Sequence, residues 1–544
     1  MMRPLLLPLL GVFLQTSAAS NPYVMSWSSQ AYGPDGPWQA VSLTVGSNQQ
    51  TVDLYPGANY ASTILMSTLC TNKTLSSTCY AAEAGTFNQN TSTTAYTTTP
   101  GSWETTYWAV EGGSIEAVLG DEVTLGSFVV PNVSFEAIYQ TYQTYPNGIS
   151  YPVSVGSLAL GAPYLSDSVS NSTTLNMIAG WLYSHNDIPS YSYGLHIGSV
   201  DPDIAGSLVL GGYDKSRVIG DVSAQGVTAS SGLLELELKD MGLGVAAGSS
   251  PFSFTNESGL FLSSSGSVQA KTVQIDPTKP YMYLPQETCD AITSTMPISF
   301  NSSLGLYFWD TTSNDYTNIT SSAAYLSFVF KKNGVNNQNI TIKVPFSQLN
   351  LTLQEPLVDA NVTYFPCFLT DSTPVLGRAF LQSAFVGVNW FNGNNSGNWF
   401  LAQAPGPGYA SADITRIDVS DTSIAASNGT WEESWANYWG VDISNSTSSS
   451  TGGLSSGAKV GIGVGVGVGG AVLIAAGVAL AFWLRRRRGA GQAAAGEQRR
   501  SVFRGFAELP GGAHSEPAKE LDTKVHKQPQ EMMASQEVER YELG

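Results

Sequence analysis

The chain has 544 residues, too many for one simple hydrophobic core and enough for two or three packed units. Hydrophobic residues make up 42% of it, so most of the chain is expected to fold, whereas charged residues make up only 12%, about half the usual share. The formal net charge is −18, which makes the chain a poor candidate for binding nucleic acid. Its many β-branched and turn-forming residues favour an all-β fold.

The first segment, residues 1–19, has the features of a secretory signal peptide. Arg3 makes its start positive, residues 5–14 form an apolar run, and residues 17–19 (SAA) supply small side chains before a cleavage point. The apolar run is too short to span a bilayer. We therefore predict that the chain enters the secretory pathway.

Residues 21–404 read as strand-like runs separated by turns, such as 40–45 and 386–390. Residues 177–180 (MIAG) and 374–377 (PVLG) both end in an apolar step followed by Gly. Each segment falls late in one half of this region. This internal repeat is weak evidence that the two halves share one fold, with a cleft between them.

Two features of this region are typical of an oxidising lumenal or extracellular compartment. Its four cysteines are an even number, which predicts two disulfides. Thirteen Asn-x-Ser/Thr sequons, the acceptor pattern for N-glycans, lie before residue 460 and none follows it. These asparagines are Asn72, Asn90, Asn132, Asn171, Asn256, Asn301, Asn318, Asn339, Asn350, Asn361, Asn394, Asn428 and Asn445.

Beyond residue 404 the composition changes twice. Residues 405–459 are rich in Ser, Thr, Asn and Gly, which predicts a disordered, glycosylated stalk. Residues 460–484 are apolar and uncharged, long enough as a helix to cross a bilayer core of about 30 Å. Residues 485–544 have few large apolar side chains, which predicts a disordered tail.

Charge sets the predicted orientation of this membrane helix. Four arginines, residues 485–488, follow the apolar run directly, and the positive-inside rule places them in the cytoplasm. The glycines Gly461, Gly465 and Gly469 share one face of the helix, which would permit a helix–helix dimer. A span that is merely rich in small residues is an equal alternative.

Several segments, in the same order along the chain, carry a resemblance to a known family. Residues 119–126 (LGDEVTLG) and 205–214 (AGSLVLGGYD) fall in the first half, and 376–381 (LGRAFL) and 399–402 (WFLA) in the second. Together they resemble the pepsin-like aspartic proteases, of the membrane-anchored kind found in filamentous fungi. The resemblance covers about residues 38–404. It implies two β-rich lobes, which we place at 20–222 and 223–404, with a deep cleft between them.

In that family each lobe supplies one catalytic Asp from an Asp-Thr/Ser-Gly turn, and the two carboxyls share a proton. The resemblance aligns the first Asp with Gly57 or Ala58, so the first turn has no carboxylate. Asp53 is the nearest acid, and an ordinary strand or surface role is predicted for it. On the resemblance, Asp276 is the vestigial second catalytic residue.

The second turn also departs from the family pattern. Pro277 stands at the Thr/Ser position and Thr278 at the Gly position, while Lys279 brings a cation that would hold Asp276 ionised. Residues 111–114 (EGGS) resemble the tip of the family's flap without its Tyr. The resemblance further implies the disulfide pairs Cys70–Cys79 and Cys289–Cys367, one in each lobe.

Three functions remain open from the sequence. The first is a catalytically inactive surface glycoprotein that binds a peptide or glycan in its cleft. The second is a working aspartic endopeptidase with an unusual site, and the third is a structural glycoprotein of the cell surface or wall. No cofactor is predicted. His185 and His196 are the only histidines before the membrane run, too few for a metal cluster.

Overall fold

In the computed structural model, the residues that can be described are 20–441, apart from 72, 74–75, 106–110, 171–172 and 335–336. The predicted signal peptide, membrane span, glycine face and tail lie outside these ranges. None of the helices within them is long and apolar enough to cross a membrane.

The first half of the described chain is built mainly from strands. The strands are β1 (Tyr23–Val24), β2 (Trp27–Tyr32), β3 (Trp38–Val45), β4 (Gln50–Ala58), β5 (Ser62–Leu65), β6 (Tyr96–Thr97), β7 (Gly101–Thr105), β8 (Glu111–Leu125), β9 (Phe128–Thr144), β10 (Ser150–Tyr151), β11 (Gly156–Ala159), β12 (Ser166–Ser170), β13 (Thr173–Asn176), β14 (Ser192–His196), β15 (Ser207–Leu210) and β16 (Gly212–Asp214). One α-helix, α1 (Ile178–Ser184), lies among them.

The second half has the same character with more helix. Its strands are β17 (Ile219–Gly226), β18 (Leu234–Val245), β19 (Asn256–Glu257), β20 (Lys271–Ile275), β21 (Met282–Leu284), β22 (Ile298–Asn301), β23 (Leu306–Trp309), β24 (Ala324–Lys331), β25 (Asn339–Pro345), β26 (Leu351–Leu353), β27 (Val362–Phe365), β28 (Cys367–Leu369), β29 (Val375–Leu376), β30 (Ala384–Asn389), β31 (Asn398–Gln403) and β32 (Ile414–Arg416). Its helices are α2 (Gln286–Thr293), α3 (Asn314–Thr320), α4 (Arg378–Leu381) and α5 (Trp431–Trp439). The fold is therefore mostly β rather than purely β.

The strands form two lobes joined by a shared sheet. A twelve-stranded sheet contains β2–β13, and sheets of eight and four strands contain β18–β29. A six-stranded sheet, in the order β1-β15-β14-β30-β31-β17, takes strands from both halves. The predicted lobe boundary after residue 222 falls inside β17, where its pairing with β31 shifts register. The bilobed β-rich architecture expected from the resemblance is confirmed.

The predicted disordered stalk is wrong for its first part, because residues 405–441 fold onto the domain. Strand β32 pairs with β16, and the side chain of Asn389 donates hydrogen bonds to the carbonyls of Asp418, Val419 and Asp421. Composition suggested disorder because Ser, Thr, Asn and Gly cluster along this segment. The pairing of β32 with β16 and the hydrogen bonds from Asn389 hold residues 405–441 against the domain.

Helix α5 shows how that segment is held. A capping box between Thr430 and Glu433 starts the helix, and Gly440, in the left-handed conformation, ends it. Trp431 and Trp435 lie four residues apart, share one helix face and are buried. They pack against Ile204 and Ile219, so the helix is anchored in apolar contacts outside its own segment. Residues 442–459 of the predicted stalk lie outside the described ranges.

Candidate active site

The same arrangement of strands occurs once in each lobe. In the first lobe β11 pairs parallel to β4 and antiparallel to β5, and β5 pairs parallel to β9. In the second lobe β29 pairs parallel to β20 and antiparallel to β21, and β21 pairs parallel to β28. The end of β4 with the residues that follow it (57–61) and the turn after β20 (276–279) are therefore equivalent positions, called the first turn and the second turn below.

This equivalence corrects the internal repeat predicted from the sequence, which paired residues 177–180 with 374–377. The counterpart of β29 is β11, whereas Gly180 lies inside α1 and takes no part in the strand arrangement. The sequence comparison chose residues 177–180 because they end in an apolar step and Gly. Strand pairing, which the local sequence does not display, identifies β11 instead.

The first turn meets the second turn at Gly57. Its φ is +134°, a conformation that L side chains rarely adopt. A Cβ placed on Gly57 would lie 2.4 Å from Cβ of Pro277 and 2.7 Å from its Cγ. No side chain fits at residue 57 while Pro277 holds this place, so of the two positions aligned with the first catalytic Asp, Gly57 is closed by the second turn and Ala58 lines the adjoining cavity.

Asp276 is held by its own turn. Its Oδ1 accepts hydrogen bonds from the backbone N–H of Thr278 at 2.9 Å and from Thr278 Oγ1 at 2.6 Å. Its Oδ2 accepts no hydrogen bond from any residue in the described ranges. The residue at the family's Gly position has thus become the hydrogen-bond donor that orients the remaining carboxylate.

Two cations lie beside this second turn. Arg378, which is buried, donates from Nη1 to the carbonyls of Thr278 at 2.8 Å and Pro277 at 3.3 Å, and its guanidinium stacks 4.2 Å from the ring centre of Tyr55. Burial lowers the pKa of Lys279, while the nearby charge of Asp276 acts in the opposite direction. The sequence signal for Arg378 was a lone charge in an apolar run, which must find a partner when buried.

The two other acids considered from the sequence do not join Asp276. Asp53 accepts hydrogen bonds from Tyr32 Oη at 2.5 Å and from Ser42 Oγ at 2.6 Å, so it is a buried, partnered residue of β4. Glu111 begins β8, and its side chain lies outside the described part of the chain. The residues read as a flap tip, 111–114, are already in β8. β7 pairs antiparallel with the first part of β8, and the intervening residues 106–110 are outside the described ranges.

A cavity of about 330 Å³ opens beside both turns. Gly57, Ala58 and Asp276 line it, together with Glu136, a residue that sequence analysis missed. Burial, followed by the charge of Glu116, raises the pKa of Glu136 to about 7. Glu136 lies in the middle of a long strand, and the sequence offers no local signal that its side chain reaches the cleft.

The first turn also bridges the two lobes directly. Asn59 Nδ2 donates to the carbonyls of Ser231 at 3.3 Å and Gly232 at 3.4 Å, and Tyr60 Oη donates to the carbonyl of Ser230. Asn59 and Tyr60 follow directly on Gly57 and Ala58. The first turn therefore makes direct contacts between the lobes.

Both predicted disulfides are confirmed. Cys70 pairs with Cys79 and Cys289 with Cys367, so each bridge stays within one lobe. No group of three His, Cys, Asp or Glu side chains within the described ranges is arranged to hold a metal ion.

The structure separates the sequons by exposure. Three asparagines, Asn72, Asn171 and Asn445, lie outside the described residues. Asn301 and Asn350 are half-buried, and Asn350 Nδ2, the atom a glycan would modify, donates to Tyr316 Oη at 3.1 Å. The remaining eight are exposed: Asn90, Asn132, Asn256, Asn318, Asn339, Asn361, Asn394 and Asn428.

Comparison with known proteins agrees with this geometry. The family model for eukaryotic aspartyl protease matches residues 40–397, which include both turns and most of both lobes. The chain belongs to the eukaryotic aspartyl protease family. Two relatives from Candida albicans, one of them from strain SC5314, are both named secreted aspartic protease 8. Each is 25% identical over 355 residues, which cover 65% of this chain and 73% of the relative.

The family match also marks what is particular to this chain. It ends at residue 397, so the folded segment that carries β32 and α5 follows the matched region. The aspartyl protease fold is thus present, and residues 54–65, where the resemblance places the first catalytic turn, contain no Asp or Glu.

Proposed function

We propose that this protein is a membrane-anchored surface glycoprotein whose aspartic-protease-like ectodomain binds peptides in its cleft without cleaving them. The observation that supports this most directly is the close contact at Gly57, where an added Cβ would lie only 2.4 Å from Cβ of Pro277, so that a carboxylate side chain does not fit there. Acid peptidases of this family need two carboxyls sharing one proton. One carboxylate cannot both activate water and polarise the scissile carbonyl.

The test of inactivity is a cleavage assay on the full-length protein. Casein and a random peptide library are incubated with it from acid to neutral pH. We expect no cleavage, and no capture by pepstatin-type mimics, whose affinity depends on placing a hydroxyl between two carboxyls. Cleavage that disappears in the Asp276→Asn variant would overturn the proposal.

The test of binding uses the same protein on a peptide library and a glycan array. Retention of peptides, competed by an excess of the retained sequences, is the expected result. Retention of glycans alone would replace the peptide by a glycan ligand. Retention of neither would favour a purely structural glycoprotein.

The membrane anchor in this proposal rests on the sequence. The signal peptide, the apolar run 460–484 and the arginines at 485–488 support a single-pass protein with its ectodomain outside the cytoplasm. A tag after Gly544 should be digested by protease added to the cytosolic face of sealed vesicles, and glycosidase should reduce the protein's mass. Protection of the tag would contradict this topology.

An acid peptidase that uses Glu136 as its second carboxyl is the alternative function. The observation in its favour is that Glu136 and Asp276 line one cavity, and burial raises the pKa of Glu136 to about 7. Glu136 is then protonated at acid pH, as one member of such a pair must be. Loss of cleavage in both Glu136→Gln and Asp276→Asn would select this function.

A further inference from the structure

The cavity beside the two turns has two carboxyl groups that each keep one oxygen free. Glu136 Oε2 is approached by Thr63 Oγ1 at 3.4 Å, and Thr63 Oγ1 in turn accepts from Ser157 Oγ at 3.0 Å. Glu136 Oε1 accepts no hydrogen bond from a residue in the described ranges. Asp276 Oδ2 is free in the same sense, so the cavity presents two unsatisfied acceptors.

No lysine or arginine lines this cavity within the part of the chain that the structure describes. Arg378 lines a smaller cavity on the other side of the second turn, where it is committed to backbone carbonyls and the ring of Tyr55. Lys279, whose charge acts on Asp276, does not line the main cavity either, and no cation is among the groups that act on Glu136. A charged acceptor in a partly buried site is stabilised by a ligand that brings one.

The remaining walls suit an aliphatic stem. Ala58, Leu233, Leu234 and Ile275 contribute apolar surface to the same cavity as the carboxyls. Lysine and arginine bury a chain of methylene groups while keeping a charged end in a polar place. The cavity thus offers apolar contacts along its walls and negative charge at two points.

We propose that this cavity binds the side chain of a lysine or arginine, so that the cleft selects peptides carrying a basic residue. The inference rests on the proposed function for the peptide, but the cavity's preference for a cation stands on its own lining. The net negative charge of the region around the cavity also favours a basic ligand. Residues 21–459 carry 12 Lys and Arg against 33 Asp and Glu, a field that attracts basic ligands.

The experiment compares ligands that differ at one position. Peptide libraries are randomised except at one site, fixed as Arg, Lys, Gln or Glu, and their binding to full-length protein is measured by fluorescence anisotropy at slightly alkaline pH. We expect the Arg and Lys libraries to bind about tenfold more tightly than the Gln library. The Glu library should bind most weakly.

Variants test whether the preference comes from this cavity. Glu136→Gln, which keeps the shape and removes the charge, should reduce the preference for Arg over Gln to about twofold or less. Glu257→Gln is the matched control, because Glu257 is exposed on β19, does not line the cavity and changes the net charge equally. It should leave the preference unchanged, and thermal unfolding should show that both variants fold.

Failure of this inference can be told from failure of the proposed function. Peptides that bind without preferring Arg or Lys, or a preference that survives Glu136→Gln, would overturn the inference and leave peptide binding intact. Agmatine, which carries the arginine side chain without a peptide, serves as a second probe. If no peptide binds but agmatine binds and is lost in Glu136→Gln, the peptide ligand is wrong and the cation site stands. If neither binds, both are wrong.

Discussion

The turns after β4 and β20 occupy equivalent places in two lobes with the same strand pairings, yet their chemistry differs. The second turn keeps Asp276, oriented by Thr278 and backed by Arg378. The first turn has no carboxyl, lies against Pro277 at Gly57 and reaches the other lobe through Asn59 and Tyr60. The strand arrangement is stabilised by backbone pairing and core packing, so it does not depend on which residues occupy the turns.

The two turns also differ in what surrounds them. Arg378 donates to the carbonyl of Thr278 in the second turn, and its charge also acts on the buried Asp35 of the first lobe. Burial raises the pKa of Asp35, and the Arg378 charge opposes this shift. Residues 57–61 contact no cation within the described ranges; they lie against the Pro277 side chain and donate to carbonyls of the other lobe. Four sets of variants would break or sharpen this contrast between the lobes.

The largest expected difference is between the two disulfides. Cys289–Cys367 links residues 78 apart and Cys70–Cys79 residues 9 apart, so the longer loop restricts the unfolded chain more. Replacing Cys289 and Cys367 by Ala should lower the free energy of unfolding by about 4.5 kcal/mol, and replacing the other pair by about 2.5 kcal/mol. Guanidinium unfolding measures both. Equal losses would contradict this prediction, because they would mean that the longer loop is already restricted in the unfolded chain without its disulfide.

The contact between the turns is tested by Gly57→Ala. The added methyl would overlap Pro277 and the backbone conformation is unfavourable for Ala, so we expect a loss of about 3 kcal/mol in unfolding free energy. Gly148→Ala is the control, since Gly148 has positive φ with nothing within 4 Å of its Cβ position. Its loss should be about 1 kcal/mol.

A double variant locates the cause of the Gly57→Ala effect. Combining it with Pro277→Gly removes the atoms that the methyl would strike. The combined loss should then be smaller than the sum of the single losses. Strict additivity would mean that the two turns are not in the contact described here.

The pH dependence of the free energy of unfolding tests Glu136, the acid that the first lobe contributes to the cavity. The folded pKa of Glu136, about 7, lies above the ordinary value of 4.5, because of burial and then the charges of Glu116 and Asp167, with Thr63 opposing. The folded state therefore binds more protons than the unfolded state between these values, and stability falls as pH rises from 4.5 to about 7. Glu136→Gln should remove a fall of up to about 3 kcal/mol. An unchanged slope in denaturant titrations would contradict the assignment.

The smallest effect concerns the donor that orients Asp276. Thr278→Val removes the 2.6 Å hydrogen bond to Oδ1 but keeps the backbone N–H, so we expect a loss of about 1.5 kcal/mol in unfolding free energy. Thr278→Ser keeps the hydroxyl and should lose much less. Equal losses in the two variants would show that the methyl group, and not the hydrogen bond, contributes the stability.

Much of the fold and part of the site could be predicted from the sequence. The resemblance located both lobes, both disulfides and both turns, because each depends on short segments whose order along the chain is visible. The first turn's missing carboxylate is likewise a fact about residues 54–65, where no Asp or Glu occurs. The disordered stalk was wrong because α5 depends on partners such as Ile204, far away along the chain.

By itself the sequence determined the acidic, sequon-rich character of residues 21–459, the confinement of all four cysteines to that region and the absence of any Asp or Glu from residues 54–65. These are properties of composition and of neighbouring residues. Only the tertiary structure decided that Gly57 touches Pro277, that β11 and not residues 177–180 completes the first lobe, and that Glu136 shares a cavity with Asp276. Those facts join segments more than a hundred residues apart or depend on strand pairing, and no local pattern of side chains specifies such contacts.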